Sequence, residues 1–219
     1  MKKILLLTAL LAITWVYGYS QQRTEAEAAA IAKAFMQNNG YDFTITKSTT
    51  PAKIRAKGRV IILIESCIHS GEPDGKDASM MFIRDMVVEK KNIDLLDDVS
   101  FVFIPVFNVD GHENFSATNR INQNGPEELG TRNTAQLINL NRDFLKADAP
   151  EMRAWLKLYN RWMPELFIDV HVTNGADFQY VMTYAIENRG TIMEEGLRQW
   201  SLDIYEKQLN ERMEKVGFP

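Results

Sequence analysis

A chain of 219 residues, 45% hydrophobic and 25% charged, has enough apolar content to bury a core, which excludes intrinsic disorder and points to one globular domain. The net charge of -4, with acids and bases interspersed, forms no basic stripe and so excludes nucleic acid or an anionic membrane as an expected partner. The single cysteine, Cys67, excludes a disulfide within the chain.

In chain order, Lys2 and Lys3 precede an apolar run from Ile4 to Val16, with small residues at Gly18 and Ser20. The run is short for a bilayer span, so residues 1 to about 20 read as a removed secretory signal, with a retained N-terminal anchor as the competing reading. A secreted or periplasmic protein without a stable membrane span is expected, with residues 21–219 as the mature part. Thr24 to Gln37 carries apolar residues at helical spacing and stops at Asn38-Asn39-Gly40. Tyr41 to Thr50 reads as an extended segment of ambiguous type.

Arg59 to Ser66 is a nearly continuous apolar run, as in a strand covered on both faces. Cys67, just beyond it, reads as a buried small hydrophobe. A helix is predicted over Lys76–Lys90, a second strand over Val99–Val106 and a helix over Pro150–Trp162 with proline in its first turn. A third strand over Leu166–Val170 follows, then a candidate strand over Phe178–Tyr184 and a long helix from about Thr191 to Lys215. Strands alternating with helices predict an α/β fold with a mixed, largely parallel sheet flanked by helices. Between Asn108 and Asp148 this rhythm breaks into Asn, Gly, Asp and Arg, and an irregular stretch leaving the carboxyl end of a strand is well placed to line a site.

The chemistry-bearing residues concentrate at strand ends. His69 and His171 each follow an apolar strand, which sets both at the same rim of a parallel sheet, and Glu72 lies three residues after His69. His, Glu and His form a donor set suited to one Zn2+ ion with a coordination position left open. His112, in a turn after Asp110-Gly111, is the rival ligand.

Four ordered motifs resemble the zinc carboxypeptidases related to carboxypeptidases A and B. They are His69-Ser-Gly-Glu72, Asn108-Val-Asp110-Gly111, Asn141-Arg142 and Asp169-Val-His171, and the resemblance covers roughly residues 25 to 219. It implies zinc on His69, Glu72 and His171, and an Asn141-Arg142 pair gripping the free C-terminal carboxylate of a peptide substrate. The forked guanidinium of Arg142 suits that grip, on a short extended piece around Ile138–Phe144; a salt bridge to Asp143 is the structural alternative. By position relative to Asn141-Arg142, Arg132 is the expected stabiliser of the oxyanion, with Arg120 as alternative. Where the family often has an acid supporting the first histidine, this chain has Asn139, whose amide can accept a hydrogen bond from it. Asp169 is assigned to the strand face opposite His171.

The resemblance also implies a general-base glutamate on a strand well beyond the last histidine. Glu187, Glu194, Glu195, Glu206, Glu211 and Glu214 all lie in loop or helical patterns, and each reads as a solvated surface group. The expectation is therefore an N-terminal portion of a carboxypeptidase domain, incomplete at the C-terminus, with the general base not present and slow peptide hydrolysis. Two other readings use the same residues: a zinc amidohydrolase of N-acyl amino acids, and a non-catalytic module that binds peptide C-termini. Oligomeric state and side-chain preference are not encoded in any motif.

Overall fold

The structure, a computed structural model, describes residues 50–187 and 192–218. The predicted signal, the helix over Thr24–Gln37 and the extended segment up to residue 49 lie outside the described residues. Packing divides the chain into two compact units, one ending at Asn174 and one beginning at Gly175.

In the first unit the order is α1 (Pro51–Arg55), β1 (Val60–Ser66), α2 (Asp74–Val87), α3 (Leu95–Asp98), β2 (Val99–Ile104), α4 (Val109–Glu113), a 3-10 turn (Leu140–Arg142), α5 (Pro150–Trp162) and β3 (Leu166–Val170). The three strands form a parallel sheet in the order β2-β1-β3. This is the predicted class, with both pairings among the three strands parallel.

The apolar run of β1 is explained by its central position: both neighbours are strands, and a helix packs on each face. On one face Ile61, Leu63, Val102 and Ile104 join Met152, Trp155 and Trp162 of α5 in the buried core. Trp155 meets the rings of Phe167, Phe144 and Tyr159 at centroid distances of 5.4, 5.1 and 5.0 Å. On the other face Phe82 of α2 packs edge-on against Phe101 at 5.2 Å. The first turn of α2 approaches so closely that a Cβ on Gly75 would lie 2.6 Å from Ser66 Oγ and from Val170 Cγ1.

Helix α5 begins where proline was expected, and its entry is tied by Asp143, whose carboxylate accepts from the amides of Asp148 at 3.0 Å and Ala149 at 2.8 Å. It stops at Met163, which is left-handed with φ 43°. The segment around Asn141 is not extended as expected but a 3-10 turn, because Asn139 folds back to accept from the Asn141 amide at 3.0 Å.

In the second unit α6 (Glu195–Trp200), a π-helical turn (Ser201–Glu206) and α7 (Lys207–Lys215) run on as one helix. Phe178–Tyr184, predicted as a strand, is irregular. Its aromatic and β-branched residues favour a strand only beside a neighbour that supplies a ladder, and no described strand pairs with it.

Candidate metal centre

Two neighbouring parallel strands end at the same rim, so the residues just past β1 and β3 meet. His171 directly follows β3. His69 follows β1 after a turn through Cys67, whose φ of 56° bends the chain sharply. A further turn, closed by the Glu72 amide on the His69 carbonyl at 2.9 Å, brings Glu72 back under the imidazole.

His69 Nδ1 lies 3.1 Å from Glu72 Oε1, and His171 Nδ1 lies 2.9 Å from Glu72 Oε2. The two imidazole centroids are 5.0 Å apart. One ligand atom from each residue falls within 4.8 Å of the others. Tetrahedral zinc with bonds near 2 Å holds its donors about 3.3 Å apart; both His–Glu distances are near that spacing, and the set as a whole would draw together around an ion. His112 is not in this group: it pairs with Glu113 at 2.9 Å and lies 3.3 Å from Lys76 Nζ.

Burial by itself would raise the Glu72 carboxyl, but hydrogen bonds from His171, His69 and Arg120 outweigh it and hold the group far below the usual carboxylate range. Asp169 and Glu72 together push the His171 imidazole up to about 9, against the opposing effect of burial. Each histidine also has a partner on its far nitrogen. Asn139 Oδ1 lies 3.3 Å from His69 Nε2, and Asp169 Oδ2 lies 2.8 Å from His171 Nε2. The assignment of Asp169 to the opposite face is thereby corrected: residues two apart on a strand share a face.

Beneath Asp169 lies its cross-strand partner Glu65, fully buried and hydrogen-bonded by the Trp155 indole. Burial, then the charge of Asp169, pushes the Glu65 carboxyl well above its ordinary value. Cys67 is buried, its thiol is pushed up to about 12 by burial, and its sulfur lies 3.6 Å from the Glu72 carbonyl oxygen. It is the small interior side chain expected, not a nucleophile.

Three arginines reach this side of the sheet. Arg120 is 6% exposed and donates through Nη2 to Glu72 Oε1 at 2.9 Å and to Asn174 Oδ1 at 3.0 Å. Arg132 is more open, its Nη1 lying 3.6 Å from Glu72 Oε1 and 3.5 Å from Asn174 Oδ1. Burial first, and the charges of Arg120 and Arg142 after it, pull Arg132 below its ordinary value, while Glu72 opposes them. Arg142 is exposed and donates to the Asn141 carbonyl at 2.6 Å. Asp143 is committed to the entry of α5, so the salt bridge between these neighbours does not form. Asn141 Nδ2 lies 3.4 Å from His171 Nε2, which sets Asn141 beside the three candidate ligands.

Asn108 explains the motif after β2. Fully buried, it accepts from the Gly111 amide at 3.0 Å and donates to the Arg132 carbonyl at 3.3 Å. A Cβ on Gly111 would come within 2.6 Å of the Thr131 carbonyl oxygen, so glycine there lets the Arg132 loop cross. Asn174 had no signal in the sequence beyond a polar position three residues after His171.

The sequence matches the model of the zinc carboxypeptidase family over residues 29–192, and the chain belongs to that family. Among curated proteins it is similar to a probable carboxypeptidase 2 from Trichophyton verrucosum, 21% identical over 79% of this chain and 32% of that protein. Carboxypeptidase 2 of Trichophyton rubrum is likewise 21% identical, over 79% of this chain and 31% of that protein. The chain thus spans about a third of the length of the curated relatives it matches. A solved metallo-carboxypeptidase from Burkholderia cenocepacia aligns with 55% of this chain and 31% of its own, at 21% identity and a TM-score of 0.43.

Proposed function

We propose that this chain carries the metal-binding and carboxylate-recognising part of an exported zinc carboxypeptidase acting on peptides with a free C-terminus. The observation that carries the reading is the convergence of His69, Glu72 and His171 at one sheet rim with Asn141 of the Asn141-Arg142 pair beside them. A zinc ion held there supplies a Lewis acid that polarises a carbonyl and acidifies water. Arg142, exposed and without a carboxylate partner among the described residues, receives the substrate carboxylate in its fork, and Asn141 orients it. Arg132, partly open and anchored through its own carbonyl, meets the charge that develops on the scissile carbonyl oxygen. Arg120, the alternative, is occupied by internal bonds.

The general base is, on this reading, not among the described residues. Glu72 and Asp169 are engaged by the histidines. Of the later acids, Glu194 caps α6 by accepting from the Leu197 amide at 3.0 Å, Glu195 pairs with Arg198 at 2.6 Å, and Glu206 accepts from Tyr184 at 3.3 Å. The apolar run and small residues before position 21 support export. No helix among the described residues is long and apolar enough to cross a membrane.

The test is equilibrium binding of a short peptide by the zinc-loaded chain. The free acid is expected to bind about 10- to 100-fold more tightly than its C-terminal amide, as loss of a charge-assisted pair demands, and Arg142→Ala removes the difference. Equal binding of acid and amide contradicts the clamp. Rapid hydrolysis abolished by Glu72→Ala contradicts the absent base, and preference for an N-acyl amino acid over the peptide favours the amidohydrolase.

A further inference from the structure

We propose that Arg120 is a positioning residue for the metal centre: one buried guanidinium holds the Glu72 carboxylate and the loop that follows His171 in a single frame. The inference rests on the zinc reading of His69, Glu72 and His171.

Arg120 makes the shorter and more buried of two bridges between Glu72 and Asn174, since Arg132 Nη1 reaches the same two oxygens only at 3.6 and 3.5 Å. Arg120 Nη2 bridges Glu72 Oε1 at 2.9 Å and Asn174 Oδ1 at 3.0 Å, so one nitrogen ties the turn after β1 to the segment after β3. The same surface turn adds two clamps on that segment. Asn122 Nδ2 donates to the Asn174 carbonyl at 2.9 Å, and Gln123 Nε2 donates to the Thr173 carbonyl at 2.6 Å. The Val172 amide then donates to Glu72 Oε2 at 3.2 Å, closing a ring of contacts in which His171 sits one residue away.

The backbone is shaped to admit this arginine. A Cβ on Gly71 would lie 2.5 Å from Arg120 Cγ and 2.9 Å from the Gly130 carbonyl oxygen, so the side chain passes where only glycine leaves room. Arg120 is 6% exposed, its Nη1 is buried without a hydrogen-bond partner among the described residues, and its ion pair with Glu72 is buried on both sides. A buried pair with an unsatisfied donor is poor value as stabilisation alone, since an apolar pair of the same volume would serve as well. Its return lies in orientation, because groups that hold a metal ligand set its geometry and affinity. Burial also separates Arg120 from Arg132: it cannot turn to a substrate without releasing Glu72.

The test compares the purified full chain with Arg120→Met, Arg120→Lys and Asn174→Ala. Zinc affinity is read by competition with a chromophoric chelator, and ligand geometry by the visible absorption of the cobalt-substituted protein. Arg120→Met is expected to bind zinc about 10- to 100-fold more weakly and to change the cobalt spectrum, as loss of a ligand-supporting group does. Arg120→Lys keeps the charge but not the fork and recovers only part of the affinity. Asn174→Ala, which leaves Arg120 in place, shifts the same two readouts in the same direction and serves if Arg120→Met does not fold. Folded variants that bind zinc as tightly as the parent, with an unchanged cobalt spectrum, overturn the inference. A parent chain whose zinc binding does not depend on Glu72 overturns the zinc reading itself, so the two failures are distinct.

Discussion

His171 and Glu72 respond to pH in opposite directions in the metal-free protein. The His171 pKa, raised to about 9, lies above its unfolded value, so its contribution is complete below roughly pH 6.5 and is lost as pH rises through 9. Glu72 is depressed, so its contribution is present above the ordinary carboxylate range and is lost as pH falls. In the chelator-treated protein the contributions of His171 and Glu72 are therefore both complete only between about pH 5 and 6.5. His171→Ala should flatten the alkaline side of the melting curve; an alkaline side unchanged by that substitution contradicts the assignment. Glu65 runs the other way, since its raised carboxyl remains protonated when buried and its ionisation opposes folding. Glu65→Gln is expected to raise the melting temperature at pH 8 more than at pH 4, and an equal change at both would place the burial cost elsewhere. That His69, Glu72 and His171 would meet was legible because histidine and glutamate at strand ends are a sequence pattern. Position in the sequence favoured Arg132 over Arg120 for the oxyanion, but the burial that sets Arg120 apart was not legible, since it depends on the close passage of its side chain over Gly71.

Elements with a repeating pattern were legible, and those held by single side chains were not. Strands β1 and β3 and helix α5 follow from unbroken apolar runs and from proline at a helix start. Helix α2 begins at Asp74, two residues before the expected Lys76, and β2 ends at Ile104, two residues before the expected Val106. Both shifts occur where the chain turns toward the site and backbone groups pair across loops. The 3-10 turn at Leu140–Arg142 depends on one amide, that of Asn139, and no periodicity announces it. Asp143 is the comparable group for α5. Asp143→Ala, which strands the amides of Asp148 and Ala149, should cost about 2 kcal/mol in chemical denaturation and loosen the neighbouring Arg142. A loss under about 0.5 kcal/mol would show that water replaces the carboxylate at no cost.

At the scale of the molecule, the sheet order decides where stability resides. Strand β1 has a parallel neighbour on each side, and its core-facing Ile61 and Leu63 are fully buried, whereas every residue of β3 is only partly buried. Native-state hydrogen exchange is expected to be slowest in β1 and measurably faster in β3, and the reverse order would contradict the topology. The sheet rim that joins the ends of β1 and β3 is also where the proposed metal centre lies. The most direct measurement of that joint is calorimetric titration of zinc into the chelator-treated chain and its variants. One ion per chain is predicted, with binding abolished by Glu72→Ala or His171→Ala and unchanged by His112→Ala. Binding that survives loss of Glu72 or His171, or that disappears with His112, would contradict the proposed centre.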